Sequence, residues 1–162
     1  MIDLRSDTVT QPNESMRQAM MSASVGDDVY GEDPSINELE EFAAHLLNKK
    51  AGLYLPSGTQ SNLAALLTHC QRGDEYIVGQ DAHTYRFEGG GAAVLGSIQP
   101  QPIHFEPDGT LAIDQITSVI KPHDSHFARS KLVCLENTQA GKALGLEYIE
   151  QVRDLCDKHN LN

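Results

Sequence analysis

The chain has 162 residues, 40% of them hydrophobic and 22% charged, with 13 glycines and 7 prolines; this is globular composition, long enough for a domain with a buried core. A formal net charge of -11 argues against nucleic-acid phosphates and anionic membranes as partners, because both demand a basic face. A small anionic ligand stays open, since it needs only a local positive field.

The first ten residues, MIDLRSDTVT, are polar and charged where a signal peptide would need an apolar segment. No apolar run approaches the roughly 20 residues of a membrane span. Cys70, Cys134 and Cys156 are far apart and lack a CxxC spacing, so neither disulfides nor a metal site is expected, and Cys134 and Cys156 fall in apolar patterns as core residues do. A cytoplasmic, soluble protein is the expectation.

In chain order, Asn13 is placed to cap a helix whose apolar face is Met16, Ala19, Met20 and Ala23. Asp33-Pro34 opens a second helix, with Pro34 at its first position and Ser35 and Glu38 as an alternative capping box; its buried stripe would be Ile36, Leu39, Ala43, Leu46 and Leu47. Leu53-Tyr54-Leu55 is predicted as a short strand, ended by Pro56-Ser57-Gly58, and a helix follows over 59–70 with Leu63, Leu66, Leu67 and Cys70 inward. Tyr76-Ile77-Val78 is the next strand. The Gly- and Ala-rich stretch 84–95 predicts one closely packed helix, 98–105 a Pro-marked strand, and 107–109 a turn. A short helix over 114–120, a buried strand over 131–135 and a helix over 146–159 complete the pattern.

Short strands separated by helices imply parallel βαβ units, hence an α/β sandwich. Ligands in such sheets sit beyond the carboxyl ends of the strands. Those ends fall at 56–60, 79–83 and 136–139.

Ser57-Gly58-Thr59-Gln60 lies where the predicted strand turns into a helix. The free amides of a helix start, with the Ser57 and Thr59 hydroxyls, can hold an anion. No lysine follows the glycine, so a lone phosphate suits it better than a nucleotide; the tetrapeptide also suits a plain turn and cap with no ligand. His83 follows the next predicted strand, where an imidazole can stack on a ring or serve as acid–base, or simply bond to backbone. His126, in His126-Phe127-Ala128-Arg129, carries the same two readings. Asp27, Asp28, Glu32 and Asp33 lack the spacing of a calcium loop and suit a solvated turn and helix cap. Glu75 and Glu88 have no spacing that argues for paired carboxylate catalysis.

Several blocks occur in one order: residues 4–10 (LRSDTVT), 25–34 (VGDDVYGEDP), 56–62 (PSGTQSN), the stretch around His83, 126–129 (HFAR) and 135–138 (LENT). Together they span nearly the whole chain and resemble the low-specificity L-threonine aldolases. The resemblance implies a three-layer α/β sandwich of the PLP-dependent transferase kind (fold type I), mostly parallel, with residues 1–162 comprising an N-terminal segment and the first part of the large domain. It implies pyridoxal 5'-phosphate (PLP) as cofactor, an amino-acid substrate, and a homo-oligomer, a dimer of dimers, with active sites between subunits. Carried onto this sequence, Gly58, Thr59 and Gln60 would hold the cofactor phosphate and His83 would stack on its ring. Ser6 would meet the substrate carboxylate. His83 and His126 would be the catalytic residues, near the substrate β-hydroxyl where abstraction of its proton starts retro-aldol cleavage; Tyr30 would reach a neighbouring subunit's site, and Arg129 is a further substrate-binding candidate. The implied reaction is cleavage of threonine to glycine and acetaldehyde.

Two departures accompany the resemblance. Gln139 stands where the family usually has a histidine. The chain also stops at what resembles the point before the strand carrying the aspartate that pairs with the PLP ring nitrogen, and none of its six lysines sits in the context of the lysine that binds PLP. A fragment, inactive alone, is expected. Another fold-type-I amino-acid lyase and a non-catalytic fragment are the alternatives.

Overall fold

The computed structural model describes residues 2–162, which divide into two compact units, the first running to Tyr54 and the second Leu55–Asn162.

In the first unit, helix α1 (Glu14–Ser22) is capped by Asn13, whose side chain accepts from the Met16 N–H at 2.9 Å. Helix α2 (Pro34–Leu46) starts at Asp33, whose Oδ1 accepts from Ser35 and Ile36 and whose Oδ2 accepts from Gly26. Asp33 therefore serves as the helix cap and Asp27 as a turn residue, its Oδ1 taking the Val29 N–H at 2.9 Å. Gly26 packs so tightly under this cap that a Cβ would lie 2.1 Å from the Glu32 carbonyl oxygen. The apolar stripes behave differently from the expectation. Met16, Met20, Leu39, Leu46 and Leu47 are exposed, and Ala44 is the buried apolar residue of α2, because this unit has no layer of its own to cover them. Residues 53–55 form no strand: the Tyr54 N–H is spent on the Glu40 side chain at 2.6 Å, and Gly52 lies against the Glu40 backbone.

The second unit is built on three parallel strands, β1 (Asp74–Gly79), β2 (Gln99–Ile103) and β3 (Arg129–Cys134), in the order β2-β1-β3. β1 is central and buried throughout, and its alternation assigns the two faces. Tyr76 and Val78 pack with Leu66 and Cys70 of α3 (Gly58–His69), Ala82, Ala92 of α5 (Gly91–Val94) and Ile98. Ile77 packs on the other face with Ile116 of α6 (Ile113–Val119) and Val152, Leu155 and Cys156 of α7 (Leu146–His159). Helices thus cover both faces, and the α/β three-layer reading holds. β2 carries Pro100 and Pro102, tolerated because an edge strand has one partner only.

Three details differ from the sequence expectation. The stretch 84–95 is two short helices, α4 (His83–Arg86) and α5, interrupted at Gly89 and Gly90, whose φ of 63° and 68° belong to the left-handed region. Leu67 on α3 is exposed while Leu66 is buried. Cys134 is only partly buried, unlike Cys70 and Cys156.

Candidate active site

β1 continues into α4 and α5 on one face of the sheet, whereas β3 continues into α7 on the other. Adjacent strands whose connections leave to opposite faces open a crevice at their carboxyl ends. A cavity of about 250 Å³ lies there, lined by Asn62, Ala82, His83, Thr84, Cys134, Leu135, Glu136 and Asn137.

His83 is fixed in this crevice twice. Its backbone N–H donates to Glu136 Oε2 at 2.7 Å, which ties the segment after β1 to the segment after β3. Its ring Nδ1 lies 2.7 Å from Glu88 Oε1. The imidazole is 54% exposed, yet the Glu88 carboxylate is only 4% exposed. The same Glu88 oxygen accepts from Asn62 Nδ2 at 2.6 Å. On the crevice wall, burial pushes the Cys134 thiol above its ordinary pKa, so it is a poor nucleophile at neutral pH.

Asn62 stands one turn into α3, and the start of that helix is the expected anion site. Ser57 caps it, its Oγ accepting from the Gln60 N–H at 3.2 Å, and the helical ladder begins with Ser61 N–H to Ser57 C=O at 3.0 Å. The amides of Gly58 and Thr59 precede the ladder and are available to a ligand. Gln60 differs from them: its amide is committed to the cap, leaving its side chain for any contact. The space where a Gly58 Cβ would stand is open.

His126 and Arg129 are elsewhere in the sheet. Arg129 opens β3, and its Nε donates to Asp74 Oδ1, at the start of β1, at 2.6 Å, while its Nη2 donates to the Arg72 carbonyl at 3.2 Å. His126 is 84% exposed; its backbone N–H donates to Asp124 Oδ1 at 2.9 Å and its ring Nδ1 lies 2.6 Å from the same oxygen, and these hydrogen bonds hold the Asp124 carboxyl below its ordinary pKa. Both residues belong to the amino end of the strands, and His83 follows the carboxyl end. Six strand residues separate the two ends by roughly 16–20 Å. One chain therefore does not bring His126 and Arg129 to His83.

Ser6 and Tyr30 belong to the first unit. Ser6 Oγ accepts from the Thr8 N–H at 3.2 Å, capping a short 3-10 turn, and Tyr30 ends a second such turn with its side chain exposed.

Sequence reasoning does not single out Asn62 or Glu136, and it weighs Glu88 only as a partner of Glu75, not of His83. Asn62 and Glu136 each lie inside a quoted block, and their places, four residues after a helix-start glycine and two after a strand end, are the signal that could have found them. Glu75 proves structural. Fully buried, it accepts from Ser130 Oγ at 2.6 Å with Lys121 Nζ at 3.8 Å, beside the register shift between β1 and β3.

Fold and crevice together describe part of an α/β protein with a crevice at the carboxyl edge of a parallel sheet. The family model described as beta-eliminating lyase matches residues 3–162, and the chain belongs to that family. It is 60% identical over 161 residues to the low specificity L-threonine aldolase of Escherichia coli (strain K12), covering 99% of this chain and 48% of that protein. It is 43% identical over 166 residues to the low-specificity L-threonine aldolase 1 of Arabidopsis thaliana, covering 99% and 46%. Among solved structures, a threonine aldolase from Leishmania major superposes with a TM-score of 0.74 at 26% identity, covering 91% of this chain and 43% of that one. The resemblance drawn from the sequence is thereby borne out. The chain spans about half the length of the curated relatives it matches. No helix among the described residues is long and apolar enough to cross a membrane.

Proposed function

We propose that the full-length protein carrying this chain is a PLP-dependent aldolase cleaving L-threonine or L-allo-threonine to glycine and acetaldehyde. The observation that carries this reading is the crevice itself: His83, pinned at the carboxyl end of β1, is tied through Glu88 to the helix whose first amides are uncommitted. These residues fit PLP. Gly58 and Thr59 offer amides to a phosphate, Thr59 adds a hydroxyl, Gln60 adds its side chain, and the His83 ring suits the pyridine face. When bound, PLP supplies the electron sink for the pair left as Cα–Cβ breaks.

This chain contributes binding, orientation and proton handling. The helix start holds negative charge through its amides and its dipole. His83 presents an imidazole able to accept a proton from the substrate β-hydroxyl. Ser6 is assigned to the substrate carboxylate, and Tyr30, His126 and Arg129 to substrate contacts supplied between copies in a cytoplasmic homo-oligomer, a dimer of dimers. The distance between the two ends of the sheet supports that assignment for His126, which within one chain stands far from His83. Arg129 is already committed to Asp74 and the Arg72 carbonyl, which makes it the least available of these residues.

A second reading, another amino-acid lyase of this fold, is favoured by the family description, which covers β-elimination. Acetaldehyde release from L-threonine, measured against pyruvate release from L-serine and L-cysteine, separates the two. Acetaldehyde as the principal product supports the aldolase; pyruvate as the principal product assigns the second reading.

A further inference from the structure

The contact between His83 Nδ1 and Glu88 has a chemical consequence that the neighbours of Glu88 sharpen. An ionised carboxylate only accepts hydrogen bonds, and a neutral imidazole carries one proton on one of its two nitrogens. Glu88 Oε1 lies 2.7 Å from His83 Nδ1, so a neutral ring facing an ionised Glu88 carries its proton on Nδ1 and none on Nε2. Burial of the Glu88 side chain, with 4% exposure, denies the carboxylate a water shell and makes its protein donors the partners that matter. Asn62 Nδ2, donating to the same oxygen at 2.6 Å, is one of them. Asn62 comes from α3, four residues after Gly58, while His83 opens α4. The buried carboxylate therefore joins the helix with the free amides to the imidazole through two short hydrogen bonds.

We propose that Glu88, held by Asn62, is a positioning residue that fixes the Nδ1–H form of His83 and directs its bare Nε2 towards the crevice as the proton acceptor. This rests on the aldolase reading for its purpose but not for its geometry. In the step it prepares, a proton passes from the substrate hydroxyl oxygen to Nε2, the O–H electron pair stays on oxygen, and the resulting imidazolium keeps Glu88 as its counter-charge. Other groups near the ring are Phe87, its ring centroid 5.7 Å away and tilted by 46°, Glu136, whose Oε2 is occupied by the His83 backbone N–H, and the Cys134 thiol across the crevice. A carboxylate on the far side of an imidazole fixes its tautomer and holds its orientation, and loss of such a partner typically costs about 10–100-fold in function where the ring is a ligand.

Neutron diffraction from deuterium-exchanged crystals of the full-length protein, at a pH above the ordinary imidazole value, reads the proton directly. Deuterium on Nδ1 and none on Nε2 is expected. Deuterium on Nε2, alone or with Nδ1, overturns the assignment whatever the enzyme's substrate proves to be. A kinetic arm then tests its purpose. Glu88→Gln is expected to lower kcat about 10–100-fold while KM and bound PLP stay near wild type. Loss of PLP or a rise in KM with kcat unchanged would make Glu88 a structural residue and overturn the positioning role. Should Glu88→Gln fail to fold, the wild-type neutron result still decides the tautomer. A protein with the expected tautomer that releases no acetaldehyde from threonine would sink the aldolase reading and leave the geometry standing.

Discussion

The His83 backbone N–H and the Glu136 Oε2, 53 residues apart in sequence, are hydrogen-bonded at 2.7 Å. The bond joins the segments leaving β1 and β3 and sets where the imidazole stands. Glu136→Ala is expected to cost about 1 kcal/mol of stability, the net worth of one such bond, and to lower kcat more than it raises KM. Thermal unfolding and steady-state kinetics check this; an unchanged kcat would show that His83 is held without it.

At the end of β1, a Cβ on Gly79 would lie 2.0 Å from the Phe105 ring, which is packed against both faces' clusters. Gly79→Ala should destabilise by roughly 1–3 kcal/mol through overpacking, and Phe105→Leu in the same molecule should recover part of that loss. Denaturant titration of the single and double variants measures the coupling. Additive effects would mean that the ring yields freely.

Much of the second unit is legible in the sequence, for identifiable reasons. Tyr76-Ile77-Val78 is an apolar run of strand length that the core buries on both faces, and α7 declares itself through Ile149, Val152, Leu155 and Cys156 on one side, of which Ile149 stays exposed and the other three are buried. Leu53-Tyr54-Leu55 misleads because an apolar triplet does not reveal that Glu40 takes the Tyr54 N–H. The α1 and α2 stripes mislead because helical periodicity predicts a covered face without saying what covers it. In the candidate site, the helix start at Gly58 and the place of His83 after β1 are legible because turn chemistry and strand ends are local signals. Glu88 is not: it lies five residues beyond His83, past the end of α4, so no periodic spacing connects the two. Its partner Asn62 is 26 residues away on another helix.

The Asp33 cap gives the first unit a pH dependence. Hydrogen bonds from the Ile36 and Gly26 amides hold its carboxyl below the ordinary value. Its stabilising contribution is therefore complete above the ordinary carboxylate range and is lost as pH falls through the lowered folded-state value. Melting curves of the wild type and Asp33→Ala should differ by a constant amount near neutrality and converge in acid. A difference that persists at the lowest pH where both fold would assign the cap's effect to packing rather than charge.

None of the residues lining the His83 crevice is a lysine. Residues 1–162 alone, treated with PLP and then borohydride, should show no stoichiometric pyridoxyl group on Lys49, Lys50, Lys121, Lys131, Lys142 or Lys158, and should cleave threonine no faster than free PLP. Mass mapping of the reduced protein decides it. One fully labelled lysine accompanied by turnover would place the catalytic amine within this chain.

The role of His83 is tested most directly by His83→Ala in the full-length protein, with acetaldehyde release from L-threonine and PLP content measured on the same preparation. The expected result is a kcat reduced about 10²–10⁴-fold, the range of a lost general acid–base, together with weakened retention of PLP. Wild-type turnover with full cofactor content in this variant would contradict the placement of the reaction in this crevice.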